Sequence, residues 1–366
     1  MSLTLSIAAA AAVLAAPVRD TTPPATLTVT VDSARHVITI RSGPYDLPNM
    51  PPMTDHAMMD LGMSHDTPVQ HFEWPVQGWL RGFRVSLDDG NGHPVPKQVM
   101  HHMIMVNFSR RQLVYHAAER LFGAGTETAD AVIPATIGVP MSPGMELGMY
   151  VAWHNDTGAD LKSVYLNLSL PYLPPNQNPR PLNALPIYMD VNLTVGGANT
   201  FDVPPGRSEK AHEFTLPISG RLLGVGGHMH DYGRLVRLED VKTGKVIAEV
   251  KTRADKDGKV LGVSRKLFAL RGEGIHLEAN HPYRVVGVYD NPTGELIRNG
   301  AMAHMVGLFV PDDLAKWPAI DPTNPDFERD MASLNARGQG GHDEHEGMDM
   351  NMDQGGHNGM NHSGHD

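Results

Sequence analysis

The chain has 366 residues, of which 41% are hydrophobic and 19% charged, a length that suits two ordinary domains or one large one. A formal net charge of −11 argues against a nucleic-acid partner, because phosphates require a basic patch. The sequence contains no Cys, which excludes disulfides, thiolate metal sites and cysteine nucleophiles. In contrast, it contains 20 His and 21 Met, and imidazole and thioether groups together suit copper.

Residues 1–24 are predicted to be a signal peptide with a short linker. Leu3 to Ala16 form an apolar, alanine-rich stretch that is too short to cross a bilayer as a helix. No Lys or Arg precedes Arg19, so an apolar N-terminus without a targeting role is the alternative. We expect a periplasmic or secreted protein with no membrane span after signal removal.

The remaining pattern predicts an all-β protein. Residues 25–42 alternate as a hairpin does, and many short strand-like runs with Gly and Pro turns follow, as in sandwiches or jelly rolls. The Pro-rich segment 176–186 divides an N-terminal β-sandwich, residues 25–180, from a C-terminal β-sandwich, residues 187–317. Residues 318–366 are predicted to be a polar, disordered His/Met-rich tail, and residues 112–122 are about the only candidate helix.

The first candidate metal-ligating motif is His101-His102. Neighbouring residues on a regular strand point to opposite faces, so both can bind one metal only if the strand ends or bulges there. The alternative is one buried and one exposed histidine. His154 ends an apolar strand-like run and could complete a site formed elsewhere, or could simply be a turn residue.

The second candidate motif is His228-Met229-His230, whose i, i+2 spacing directs both imidazoles to the same face of a strand. The alternative is a pair of solvent-facing histidines on an edge strand. Met302 and Met305 lie in a later apolar run that also contains His304. Thioethers favour Cu(I), although methionines in such runs are usually core residues.

In this order and spacing, the motifs between about residues 70 and 312 resemble the copper type II, ascorbate-dependent monooxygenases, a family that includes peptidylglycine α-hydroxylating monooxygenase and dopamine β-monooxygenase. The resemblance implies two tandem jelly-roll-type β-sandwich domains with one copper ion each. The first copper would be bound by His101, His102 and His154. The second would be bound by His228, His230 and one methionine.

Two registers compete for that methionine. Aligning the strand that reads MVGLFV favours Met305, and a shift of three residues gives Met302. The resemblance implies hydroxylation of a C–H bond at the second copper, using O2 and ascorbate or another one-electron reductant.

This chain departs from the family in having no cysteine and in lacking the residues that anchor a peptide substrate. The corresponding positions are Gly226 and, with Met305 as the ligand, Gly307 and Phe309. We therefore expect a small-molecule substrate rather than a glycine-extended peptide. The alternative function is a non-enzymatic, periplasmic copper-binding or copper-resistance protein of the same fold. A zinc hydrolase is disfavoured because the sequence has neither HExxH nor GxSxG.

Two further segments are rich in His and Met: Met50 to His65, and residues 341–366. The second is too polar to form a core. We expect it to capture copper ions, and adventitious metal binding by a solvated tail is the alternative. Its His and Met residues are His342, His345, Met348, Met350, Met352, His357, Met360, His362 and His365.

Overall fold

The computed structural model describes residues 25–50, 65–125, 130–197, 199–268 and 274–338. These residues form many strands in several antiparallel sheets and one α-helix, which confirms the predicted β class. Among them, the pairing of β10 with β13 is the one parallel strand pair.

The strands of the N-terminal half form an eight-stranded sheet and a five-stranded sheet. Their bounds are β1 (Thr26–Asp32), β2 (Val37–Leu47), β3 (His65–Asp66), β4 (Gln70–Glu73), β5 (Gly78–Leu80), β6 (Gly82–Asp88), β7 (Met100–Arg111), β8 (Ala118–Gly125), β9 (Ala131–Val132), β10 (Ile137–Met141), β11 (Glu146–Trp153), β12 (Leu161–Leu173) and β13 (Leu182–Asn183). The smaller sheet has the order β3-β11-β7-β8, with β4 also paired to β11. A core of alternate side chains lies between the two sheets, for example Leu166 and Leu168 of β12 and Met103 and Met105 of β7.

The strands of the C-terminal half form two five-stranded sheets and a two-stranded sheet. Their bounds are β14 (Leu185–Asp190), β15 (Phe201–Val203), β16 (Gly206–Thr215), β17 (Gly220–Met229), β18 (Gly233–Asp240), β19 (Val246–Ala254), β20 (Val260–Val263), β21 (Lys266–Leu267), β22 (Ile275–Leu277), β23 (Pro282–Asn291), β24 (Ile297–Ala301) and β25 (Ala303–Pro311). One sheet has the order β14-β25-β17-β21, and the other has the order β16-β23-β18-β19-β20. A second core, which includes Met189, Val236 and Phe309, lies between them.

The segment predicted as a helix, residues 112–122, is instead a loop followed by β8. Leu113 in this loop is fully buried in the core of the C-terminal half, and the Tyr115 hydroxyl accepts a hydrogen bond of 2.9 Å from the Asp190 amide. The apolar residues of this stretch therefore join the two halves, and their tertiary contacts override the local helical pattern.

The predicted disordered tail begins too early, because residues 325–336 form an amphipathic helix, α1 (Pro325–Ala336). Asn324 caps its first turn, and Phe327 and Leu334 pack on Tyr150 of β11. Asp330 is buried, accepts a hydrogen bond of 2.9 Å from the Ala118 amide and forms an ion pair of 2.6 Å with Arg120. The helix is therefore docked on the outer face of the β3-β11-β7-β8 sheet.

Candidate metal centres

The first candidate centre depends on a β-bulge at His101. Met100 is opposite Trp153 and His102 is opposite Ala152, so His101 is an additional residue on β7. The bulge places Met100 and Met103 both on the core side, and it lets His101 and His102 leave the opposite face together. Their Nδ1 atoms form a hydrogen bond of 3.0 Å. Two imidazole nitrogens bound to one metal at about 2.0–2.1 Å would themselves be about 3.0–3.4 Å apart, so this pair has the spacing of a chelate.

His154 follows β11 directly, and its amide donates a hydrogen bond of 2.8 Å to the Val99 carbonyl, two residues before His101. Both of its ring nitrogens are buried without a hydrogen-bond partner among the described residues. A buried imidazole in that state is costly, and a metal ion is one partner that would satisfy it. The backbone of His154 thus lies beside the start of β7, and its imidazole has donor atoms available.

The second candidate centre lies where β17 and β25 pair. His228 is directly opposite His304, and the His230 amide donates a hydrogen bond of 3.1 Å to the Met302 carbonyl. Directly opposed residues share a face, so His228 and His304 lie on one face, and His230 and Met302 follow and precede the paired ends of β17 and β25. The His228 ring centroid is 5.2 Å from those of both His230 and His304.

The structure does not bring Met305 to this group. Met305 is opposite Gly227, one residue out of step with His228, so its side chain points to the other face. It is fully buried in the core beside Met189, and Phe309 is buried on the same face. Met302, the other register that the sequence allows, is instead joined to His230 by the backbone hydrogen bond. His304 was not among the predicted ligands, although Met302 and His304 repeat the i, i+2 spacing of His228 and His230.

A buried polar cluster borders the second centre. Asp190 is opposite His304 on β14 and is fully buried. The Tyr188 hydroxyl donates a 2.6 Å hydrogen bond to Asp190 Oδ2, and the Tyr188 ring centroid is 4.7 Å from that of His304. Burial raises the pKa of Asp190, although hydrogen bonds from Tyr188 and the Asn192 amide act in the opposite direction. No motif in the sequence marked this cluster.

Neither centre is a complete ligand set as the side chains stand. Within the described ranges, no three His, Asp or Glu side chains are arranged to hold a metal ion. Each centre nevertheless has a close imidazole pair or row, with one further donor on a neighbouring backbone segment. The donor types, several imidazoles and a thioether, fit copper.

Several predictions concern residues outside the described ranges. These are the signal peptide within residues 1–24, the His/Met-rich residues 51–64 and the tail from residue 339 onward. Among the helices of the described residues, none is long and apolar enough to cross a membrane.

Comparison with known proteins identified no family. No protein-family model matches the chain, and no curated protein matches it. Among solved structures, the major capsid protein P2 of Bacteriophage PM2 is 10% identical over 75% of this chain and 98% of its own, with a TM-score of 0.35. PNGase F, a glycosylasparaginase from Flavobacterium meningosepticum, is 9% identical over 74% of this chain and 96% of its own, with a TM-score of 0.37.

Proposed function

We propose that this protein binds two copper ions and hydroxylates a C–H bond of a small molecule, using O2 and ascorbate or another one-electron reductant. The observation that carries the proposal is the bulge at His101, which brings two Nδ1 atoms to 3.0 Å. A bare His-His pair on a regular strand has no such geometry. The family resemblance in the order of the motifs supplies the reaction type.

Copper at these positions would supply one-electron chemistry at both centres and an open coordination position for O2 at the second. His101, His102 and His154 form an all-imidazole donor set, which suits electron storage. His228 and His230, with the soft thioether of Met302, favour Cu(I) at the second centre, and His304 is a fourth potential donor.

The surrounding residues orient the second centre. The Met302 carbonyl accepts hydrogen bonds from the Tyr289 hydroxyl at 2.7 Å and from the His230 amide at 3.1 Å, which fixes where the Met302 side chain leaves the backbone. Asp190 holds the Tyr188 ring against His304. These buried contacts preorganise the donors and keep bulk water from that side of the cluster.

The proposal includes the finer architecture and the location of the protein. Each half has its own core between facing sheets, which supports two jelly-roll-type β-sandwich domains joined in tandem. The apolar Leu3 to Ala16 segment supports export to the periplasm or the outside of the cell.

The second candidate function is non-enzymatic copper binding or copper resistance, and the His/Met-rich segments favour it. The described chain ends at Gly338, which contacts Pro68 two residues after β3. Residues 51–64 follow Met50, whose amide donates a hydrogen bond to the Asn155 carbonyl. They precede His65, which is opposite Trp153 in the sheet. The described residues that flank both segments thus lie beside β3 and the end of β11, next to the first centre, and we propose that copper reaches this centre through the tail.

The decisive experiment uses a full-length variant in which every His and Met of residues 51–64 and 341–366 is replaced by Ser, hereafter the donor-silenced chain. We expect it to bind two copper ions and to consume O2 with ascorbate when a substrate from a small apolar and aromatic panel is present. A matched control, His276→Ala, removes an exposed histidine paired with Asp312 and should change neither result.

Two copper ions without substrate-dependent O2 consumption would favour the carrier function. Fewer than two copper ions on the donor-silenced chain would overturn the two-centre proposal.

A further inference from the structure

We infer that Asp66 and Arg337 position His102 and set the reduction potential of the first copper centre. This inference rests on the proposed copper at His101 and His102. It assigns a role to an acidic residue on the two-residue edge strand β3 and to the residue that directly follows α1. No sequence motif singled out either residue.

Asp66 and His102 lie in one row of the sheet. Ala152 of β11 is opposite Asp66 of β3 on one side and opposite His102 of β7 on the other. The His102 Nε2 atom is 3.8 Å from Asp66 Oδ1, while its Nδ1 atom is 3.0 Å from His101 Nδ1. The two ring nitrogens therefore have separate neighbours: Nδ1 faces the proposed metal position and Nε2 faces a carboxylate.

A carboxylate beyond the distal nitrogen of a metal-bound histidine fixes the ring orientation and raises the basicity of the donor atom. Removing such a partner typically weakens metal binding by about 10–100-fold. Since the more basic donor favours the higher oxidation state, Asp66 is expected to stabilise Cu(II) relative to Cu(I). The small movement that would shorten the 3.8 Å separation is available to a side chain on a short edge strand.

Arg337 modulates this carboxylate. Its guanidinium forms an ion pair with Asp66 and lies over the Tyr150 ring, 4.1 Å from the ring centroid. The Tyr150 ring is in turn edge-on to His102, with centroids 6.2 Å apart. Arg337 thus orients Asp66 and offsets part of its negative charge at His102.

A purely structural role for this ion pair is the weaker explanation. The helix is already held by the Asp330–Arg120 ion pair and by buried Phe327 and Leu334. Arg337 is not needed to place it, and its side chain is 27% exposed. The orientation of the carboxylate toward His102 is instead what an electrostatic role requires.

The test uses the donor-silenced chain with added His228→Ala, His230→Ala and His304→Ala substitutions, which remove all three imidazoles of the second centre, so that copper at the first centre is observed alone. Cu(II) affinity, the Cu(II) electron paramagnetic resonance spectrum and the reduction potential are measured at constant pH. Asp66→Asn should weaken Cu(II) binding at least tenfold and raise the potential, by about 59 mV for each tenfold loss if Cu(I) affinity is unchanged.

Arg337→Met should shift the potential in the opposite direction, because it leaves the Asp66 charge uncompensated. Arg337→Lys keeps the charge and should restore a potential close to that of the parent. Arg329→Met, which removes the exposed ion pair with Asp326 on the same helix, is the matched control and should change none of these quantities.

Shifts of opposite sign in the reduction potential for Asp66→Asn and Arg337→Met separate the electrostatic role from a structural one. If the ion pair only held the structure together, losing either partner would shift the potential in the same direction. Shifts of the same sign, or a bound copper whose potential and spectrum are unchanged in Asp66→Asn, would overturn this inference alone. A parent chain that binds no copper at the first centre would overturn the proposed function as well.

Discussion

Substitution of Met302 and Met305 by the same residue tests the second centre most sharply. The change to Leu removes the sulfur while nearly conserving volume, so it costs less than about 1.5 kcal/mol even at a buried site. We expect Met302→Leu to weaken Cu(I) binding at the second centre at least about tenfold, a loss that removal of even an outer-shell partner can cause. Met305→Leu should leave Cu(I) affinity unchanged.

Truncation of the same two methionines to Ala should affect stability in the reverse order, with the larger loss at Met305. Met305 is fully buried against Met189 and above Gly227, so Met305→Ala should lower the free energy of unfolding by about 2–5 kcal/mol. Met302 is half-buried and outside the core between the sheets, so Met302→Ala should cost under about 1 kcal/mol in the copper-free protein, as for a partly exposed side chain.

Both quantities are measured on the donor-silenced chain. Urea unfolding of the copper-free form gives stability, and competition with a chromogenic Cu(I) chelator gives affinity. X-ray absorption reports whether sulfur scatters next to copper. Loss of that sulfur signal in Met305→Leu, with the signal retained in Met302→Leu, would refute the assignment of faces and restore the Met305 register.

Three further outcomes are expected. His154→Ala in the donor-silenced chain should remove one copper ion and leave the second, as counted by metal analysis, and an unchanged count would show that His154 is not a ligand. Asp330→Ala leaves Arg120 without its buried partner and should lower the free energy of unfolding by about 3–5 kcal/mol, while a loss below 1 kcal/mol in urea unfolding would contradict the docking role of this ion pair. The hydrogen bond from Arg41 holds the pKa of Asp88 well below its usual range. The pair therefore stabilises the fold fully above about pH 4, and this stabilisation is lost as the pH falls toward the lowered pKa of the folded state. Asp88→Asn should therefore lower the free energy of unfolding at neutral pH by about 1 kcal/mol, a value reduced for the partial exposure of Arg41. It should also make the free energy of unfolding fall less steeply as the pH is lowered below about 4. An equal loss of free energy at every pH would refute the linkage.

The sequence alone determined the β class of the protein. Alternating apolar residues and frequent Gly and Pro turns carry that information locally, because a strand has a side-chain period of two wherever it occurs. The segment 176–186 remains the predicted division, and in the structure β13 pairs with β10 of the N-terminal half while β14 begins at Leu185 and pairs with β25. The same period also identified His228 and His230 as sharing one face.

Tertiary structure decided the features of the two candidate centres that depend on strand pairing and register. The bulge at His101 exists only because β7 pairs with β11 out of step there, and His304 meets His228 only through the register of β25 with β17. Choosing between Met302 and Met305 likewise requires that register, because a shift of one residue moves a side chain to the other face of the sheet.

The loop at residues 112–117 and the helix α1 show the same limit. The local pattern of residues 112–122 suggests a helix, yet Leu113 of this stretch is buried in the core of the C-terminal half. The local pattern of residues 325–336 suggests part of a polar tail, yet Asp330 is paired with Arg120 of β8. A local pattern records which residues prefer burial. The partner that buries them lies far along the chain, so it is fixed only when the sheets pack.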